Sequence, residues 1–163
     1  MSTTINQIVD KLVILLSKFK LITIIVSALL IQIIFMYLIS KFVFPDHPGG
    51  FQFRSITEHF ITAVIVAPII ETYIFQKGII DFTRLTIKAS KLISVLLSAT
   101  AFAFTHTYSI QYVAVTFILG MLYGIIYLSF IEKKADAFWH LTIIHALYNL
   151  FAFVMNNFIL SHI

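Results

Sequence analysis

Long apolar stretches dominate the chain and leave few architectures open to it. Of the 163 residues, 60% are hydrophobic and only 11% are charged, whereas a soluble domain has about a quarter charged residues. A chain this short cannot bury so much apolar surface in a core of its own. A helix of about 20 apolar residues crosses the roughly 30 Å of hydrocarbon in a bilayer. The sequence therefore predicts an integral membrane protein, an all-α polytopic transmembrane helical bundle of about five spans. The predicted spans are 21–40, 57–76, 91–107, 110–131 and 137–160.

The chain is predicted to hold one transmembrane domain, 21–163, preceded by an N-terminal cytoplasmic or interfacial segment, 1–20. Apolar residues recur at helical spacing in that segment, which is typical of a helix lying in the membrane interface. A frayed polar lead-in fits the segment equally. The loop at 41–55 is interpreted as an aromatic belt with a tight turn at Pro48-Gly49-Gly50. The apolar positions of the first segment are Ile5, Ile8, Val9, Leu12, Leu16 and Phe19.

The distribution of Lys and Arg predicts the orientation of the bundle. With the N-terminus in the cytoplasm and the C-terminus outside, nine basic residues face the cytoplasm and only Lys41 and Arg54 face the other side. This is the asymmetry of the positive-inside rule. It also accounts for the net charge of +4, so nucleic acid is not a predicted partner. The chain has no cysteine, which excludes disulfides and thiolate metal sites. The nine residues are Lys11, Lys18, Lys20, Lys77, Arg84, Lys88, Lys91, Lys133 and Lys134.

Four polar side chains lie inside three different predicted spans. An ionisable residue within a span costs at least a few kcal/mol, which makes it a candidate functional residue. Of the seven acids, only Glu71 lies well inside a span. His106 and His145 lie in two others, and Asn149 follows His145 by one turn on the same helix face. Taken singly, an intramembrane His or Asn can be a helix–helix hydrogen bond worth about 0.6–2 kcal/mol.

Taken together, these groups have the chemistry that hydrolysis of an amide requires. A carboxylate in apolar surroundings suits a general base that takes a proton from water. Imidazole can bind a metal or donate a hydrogen bond to an oxyanion, and the Asn amide is a fixed donor to developing negative charge. No HExxH motif, no GxSxG elbow and no pair of intramembrane aspartates occurs, which excludes other familiar protease designs. The pattern therefore favours hydrolysis inside the membrane.

The segments PIIETYIF, FAFTH, FILGMLYG and HALYN come in order on successive spans. With them the chain resembles the CPBP family, also called ABI or CAAX-protease-like, of intramembrane proteases, over a protease core at 56–155. The FxxxH and HxxxN motifs are complete. The resemblance implies that Glu71 activates water with help from His106, and that His145 with Asn149 stabilises the oxyanion. It implies a membrane-embedded protein or peptide as substrate, in the plasma membrane of a bacterium, and small bacterial members are linked to bacteriocin self-immunity.

The residues of the predicted site are compatible with a zinc ion and with a mechanism that uses no metal. Glu71, His106 and His145 could ligate zinc with an open coordination position. A metal-free mechanism based on the glutamate fits the same residues.

The first family motif, EExxxR, is degenerate. Thr72 stands where the family has its second Glu, and Gln76 where it has Arg. The two positions are neighbours on one helix face, and a joint loss leaves no unpaired buried charge. We interpret the pair as packing residues, with Glu71 keeping the chemistry. The alternative is a catalytically weak or inactive family member that acts as a membrane binding or immunity scaffold. A small proton-coupled transporter is disfavoured, because paired half-repeats are missing.

Three further features bear on the predicted site. Pro68 cannot donate to the carbonyl of Val64, so the helix is expected to open one turn before the glutamate. Gly120 and Gly124 form a small-xxx-small face that favours close helix packing. The depths do not agree, however. Counted from the predicted cytoplasmic ends of their spans, the glutamate lies about six residues deep, the histidine of the last span about eight, and that of the third span about fifteen.

Overall fold

The computed structural model describes residues 2–43 and 53–159. Within these two ranges the chain forms six helices and no strand, which confirms the predicted all-α bundle. The predicted turn at Pro48-Gly49-Gly50 lies outside the described residues. The helices are α1 (Ser2–Ser17), α2 (Leu21–Phe42), α3 (Ile56–Thr86), α4 (Lys91–Phe104), α5 (Ile110–Glu132) and α6 (Ala137–Ile159).

The last four helices begin where the sequence predicts, because each start carries a capping side chain. Each of these residues precedes its helix and accepts a hydrogen bond from the backbone N–H three residues later. A side-chain oxygen at this position satisfies a backbone donor that has no partner inside the helix. The predicted starts at 57, 91, 110 and 137 are therefore correct to within one residue. The capping residues are Ser55, Ser90, Ser109 and Asp136.

The lengths of the helices differ from the predicted spans in two places. In the described part of the chain, α2, α3, α5 and α6 are long and apolar enough to cross a membrane. The third predicted span, 91–107, is the exception: α4 has only 14 residues, or about 21 Å. The second predicted span, 57–76, is too short, because α3 runs for 31 residues to Thr86.

Helix α3 is not a regular α-helix. Three of its segments have the wider hydrogen-bond pattern of a π-helix, in which an N–H bonds the carbonyl five residues earlier. Such segments are frequent at functional sites. The α-helical turn Ala67–Glu71 stands between the first two of them and has Pro68 in its first turn. The π-helical segments are Phe60–Val66, Thr72–Ile80 and Phe82–Thr86.

Helix α5 is the centre of the bundle. Its most apolar 18-residue window is 61% buried, against 17–33% for the other three long helices. It contacts α1, α4 and α6. A Cβ atom at Gly120 would lie 2.9 Å from the Cα atom of Ala99, and one at Gly124 would lie 3.2 Å from both Val95 methyl groups. The predicted close packing at these glycines is confirmed, and the partner helix is α4.

The predicted N-terminal helix is present as α1 and packs onto α4 and α5. Val9 and Val13 are buried against the bundle. Lys91, at the start of α4, lies 3.7 Å from an Asp10 carboxylate oxygen and 3.4 Å from one of Glu132. These contacts attach α1 to the end of the bundle where α4 begins and α5 ends. The placement of α1 in the membrane interface stays a prediction.

We expect Gly120→Ala to destabilise the protein by about 1–3 kcal/mol, because the added methyl group meets backbone that cannot move alone. Gly124→Ala meets only the ends of a valine side chain and should cost less. Thermal unfolding of the purified variants in detergent micelles measures both. Equal stability of Gly120→Ala and wild type would contradict the close approach of α4 and α5.

Candidate active site

The structure brings together the three ionisable residues that the sequence singles out. Glu71 lies in the middle of α3, His106 follows the end of α4, and His145 lies in α6. One carboxylate oxygen of Glu71 is 3.8 Å from Nε2 of His106, and the other is 3.6 Å from Nε2 of His145. The Glu71 side chain keeps 22% of its surface exposed, so a small molecule such as water can reach it.

The expected mismatch in depth between Glu71 and His106 does not occur, because α3 is longer than its predicted span. Glu71 lies 15 residues before the end of α3 at Thr86, since 86 − 71 = 15. His106 lies 15 residues after the start of α4 at Lys91, since 106 − 91 = 15. Helices α3 and α4 are consecutive, and equal distances from their connection place the two residues at one level. His106 itself stands in the turn after α4, where the chain is no longer helical.

The position of the hydrogen on His106 follows from its partner. Its Nδ1 lies 2.8 Å from the backbone carbonyl of Phe102. A carbonyl oxygen can only accept, so Nδ1 is the donor. In the neutral ring, Nε2 then carries a lone pair and faces the Glu71 carboxylate, which is also an acceptor. A water molecule that donates one hydrogen to each could bridge the two acceptors.

Phe102, four residues before His106, contacts both imidazoles of the site. Its ring centroid lies 4.6 Å from that of His106 and 6.1 Å from those of Tyr123 and His145. The ring is almost fully buried. Phe102 therefore fixes His106 through its carbonyl and packs against the second imidazole through its ring.

His145 is held by aromatic packing. The Tyr123 ring lies 4.9 Å from the His145 ring, tilted by 43°. The Tyr123 hydroxyl donates to the side-chain carbonyl of Gln32 at 2.8 Å, and the Gln32 amide donates to the backbone carbonyl of Ala28 at 3.0 Å. Gln32 and Tyr123 are fully buried. Helix α2 thus anchors the tyrosine that packs against His145.

Asn149 does not contact Glu71 through any described hydrogen bond. Its amide Nδ2 donates to the backbone carbonyl of Ala63 in α3, at 2.8 Å. The sequence places Asn149 on the face of His145, and the structure uses its amide to join α6 to α3.

The two residues that make the first motif degenerate are both fully buried, as a packing role requires. In the part of the chain that the structure describes, Thr72 Oγ1 and the amide oxygen and nitrogen of Gln76 have no hydrogen-bond partner. The basic residue next in the chain, Lys77, pairs with Asp81 at 3.0 Å.

No three His, Cys, Asp or Glu side chains among residues 2–43 and 53–159 form a group that could hold a metal ion. This includes the trio Glu71, His106 and His145, whose two imidazoles face opposite oxygens of the carboxylate.

Sequence reasoning missed three residues of the site. Gln32 and Tyr123 support His145, and the Tyr112 ring stacks on that of His106 at 5.8 Å. Sequence reasoning considered only acids and histidines within the spans and the turn after His145, and these three residues are in neither set. Gln32 had a usable signal, because a buried amide in a predicted span requires a partner in lipid.

The fold and the site define a polytopic helical membrane protein in which a carboxylate from one helix meets imidazoles from two other parts of the bundle. The family model described as type II CAAX prenyl endopeptidase Rce1-like matches residues 53–151, and the chain belongs to this family. This confirms the CAAX-protease-like resemblance and an integral membrane protein of a protease family. The match covers α3 to α5 and most of α6. Neither the curated proteins nor the solved structures give a match.

The contact between Gln32 and Tyr123 can be tested on stability. We expect Tyr123→Phe to cost about 1–3 kcal/mol, because it leaves the buried Gln32 oxygen without a donor. In a Gln32→Leu background the same change should cost much less, because no acceptor remains to be orphaned. Thermal unfolding in micelles of the four proteins of this double-mutant cycle gives the coupling. Additive losses would show that the two side chains do not interact.

Proposed function

We propose that the chain is an intramembrane endopeptidase that hydrolyses a peptide bond of a membrane-associated protein or peptide. The observation that carries this proposal is the Glu71 carboxylate, which faces Nε2 of His106 at 3.8 Å and Nε2 of His145 at 3.6 Å. Membership in a CAAX endopeptidase family supports the same reaction class.

The proposed reaction begins with a water molecule between Glu71 and His106. Glu71 takes a proton from this water as its oxygen attacks the carbonyl carbon of the substrate, and His106 orients the water through the lone pair on Nε2. The C–O bond forms and the carbonyl π electrons move to oxygen, which gives a tetrahedral oxyanion. Collapse of the oxyanion breaks the C–N bond, and Glu71 delivers its proton to the leaving amine.

His145 is the proposed donor to the oxyanion. With its hydrogen on Nε2, its ring donates from the same side as the Glu71 carboxylate, and Tyr123 and Phe102 hold the ring in place. A donor that is already held in place stabilises the developing charge strongly. The family resemblance adds Asn149 as a second donor. One hydrogen of its amide is donated to the carbonyl of Ala63. The other amide hydrogen would be the one donated to the oxyanion.

The substrate is proposed by class. The family description names a prenyl endopeptidase, and a peptide held in the bilayer by lipid or by apolar residues fits a site among membrane helices. A leader peptide or a bacteriocin in self-immunity belongs to the same class. We propose a bacterial plasma membrane as the location, with the N-terminus in the cytoplasm and the C-terminus outside, from the distribution of basic residues.

One observation favours a second candidate, an inactive member that binds a membrane partner. Thr72 and Gln76 replace the charged pair of the family motif, and they are buried without hydrogen-bond partners among the described residues. Such a scaffold would need the fold but not the carboxylate.

Replacing the carboxylate separates the two candidates. We expect Glu71→Gln to abolish the appearance of new peptide termini in membranes, because an amide cannot take the proton from water. His106→Ala and His145→Ala should do the same while the proteins still accumulate. Mass-spectrometric profiling of termini in membranes with matched protein levels measures this.

The matched control is Thr72→Val, which keeps the buried volume and removes only a hydroxyl that has no partner among the described residues. It should leave the profile close to that of wild type. Identical profiles for wild type and Glu71→Gln, together with the same cellular phenotype, would reject the peptidase and support the scaffold.

A further inference from the structure

The amide of Asn149 bonds a backbone carbonyl of another helix. Its Nδ2 donates to the Ala63 oxygen at 2.8 Å, from α6 to α3. Within lipid a backbone carbonyl without a donor costs several kcal/mol. A carbonyl in the middle of a long helix ordinarily accepts a hydrogen bond from its own helix, so the bond from α6 needs a cause in the backbone of α3.

The hydrogen-bond register of α3 provides that cause. In the π-helical segment Phe60–Val66 the hydrogen bonds run five residues back, and the N–H of Ala67 donates to the carbonyl of Thr62. The next bond in this register would run from residue 68 to Ala63. Residue 68 is proline and has no N–H. In this register the carbonyl that lacks the donor at Pro68 is that of Ala63. In an α-helical register it would be that of Val64.

We propose that Asn149 is a positioning residue, which sets the spacing between Glu71 and His145 by occupying the carbonyl that Pro68 frees. Asn149 stands one turn after His145 in α6. Ala63 and Pro68 stand before Glu71 in α3, with the α-helical turn Ala67–Glu71 between the freed carbonyl and the carboxylate. This inference rests on the proposed function for its catalytic consequence, but the bond itself can be tested without any activity.

The bond joins α6 to α3 at a partly buried position. Pro68, which follows Ala63 in α3, is buried. The same two helices carry the carboxylate and the imidazole that face each other at 3.6 Å. A shift of about 1 Å in such a pair can cost on the order of a hundredfold in rate.

The test is a rescue experiment with Asn149→Ala, Pro68→Ala and the double variant. Asn149→Ala leaves the Ala63 carbonyl without a donor, and we expect Tm in detergent micelles to fall by about 5 °C. In the double variant, the Pro68→Ala change supplies the N–H that the register lacks. We expect the double variant to recover most of the lost Tm. Its cleavage rate should be at least about tenfold higher than that of Asn149→Ala.

The matched control is Asn157→Ala, a second asparagine of α6 that also contacts α3, but not at the carbonyl of Ala63. Its Nδ2 donates to the carbonyl of Phe153 at 2.8 Å and lies 3.2 Å from Nδ1 of His59 in α3. Pro68→Ala should not rescue this variant. Rescue of both variants to the same extent would mean that Pro68→Ala merely strengthens α3, and would overturn the proposal.

A spectroscopic arm measures position directly. The chain has no cysteine, so spin labels can be attached at Ile70→Cys in α3 and Leu147→Cys in α6, two exposed positions next to the site. Dipolar EPR should give a broader distance distribution in Asn149→Ala and the wild-type distribution in the double variant. An unchanged distribution in Asn149→Ala, or recovery of Tm without recovery of the distance, would overturn the positioning role. Absence of cleavage by wild type would reject the proposed function, and this arm would still decide the inference.

Discussion

Inside a bilayer every backbone and side-chain polar group needs a partner from the protein, because water is not there to supply one. Much of this bundle follows from that requirement. Gln32 in α2 is satisfied by Tyr123 of α5 and by a carbonyl of its own helix. The carbonyl that Pro68 leaves open is satisfied by Asn149. The bonds from Tyr123 and Asn149 join helices far apart in the sequence. Tyr123 packs against His145, and Asn149 stands one turn after His145 in α6.

Some exceptions to this requirement belong to the site or to the helix turn after Glu71, and others are Oδ1 of Asn6 in α1 and Oγ of Ser98 in α4. Among the described residues, buried polar atoms without a partner include Nδ1 of His145, Oγ1 of Thr72 and the amide of Gln76. Such atoms are costly in a low-dielectric interior. His145 belongs to the candidate site and Thr72 follows Glu71 directly, so two of these costly atoms stand where the chemistry is proposed. Departures from full hydrogen bonding are expected at functional sites. The rest of the core, along α4 and α5, is packed closely enough that Gly120 has no room for a methyl group.

Much of the architecture could be predicted from the sequence. The predicted starts at 91, 110 and 137 are correct, because the apolar stretches begin there, and Ser90, Ser109 and Asp136 cap these helices in the structure. The predicted end at 76 is not. Helix α3 continues past Gln76 to Thr86, through Lys77 and Asp81, because these two charges pair with each other and are tolerated in the helix. Composition alone marks a charge as the end of a span and does not show whether it has found a partner.

The sequence by itself determined the solvent, the helical class and the residues able to carry out hydrolysis, because these depend on composition and on the chemistry of single side chains. Tertiary structure decided which atoms meet. The register of α3 makes the Ala63 carbonyl the one that residue 68 would serve, and a register is a property of hydrogen bonds, not of residue types. The meeting of Glu71 with His106 and His145 depends on the lengths of α3 and α4 and on the close approach of α4 to α5. Those are fixed by packing between helices, which no single segment encodes.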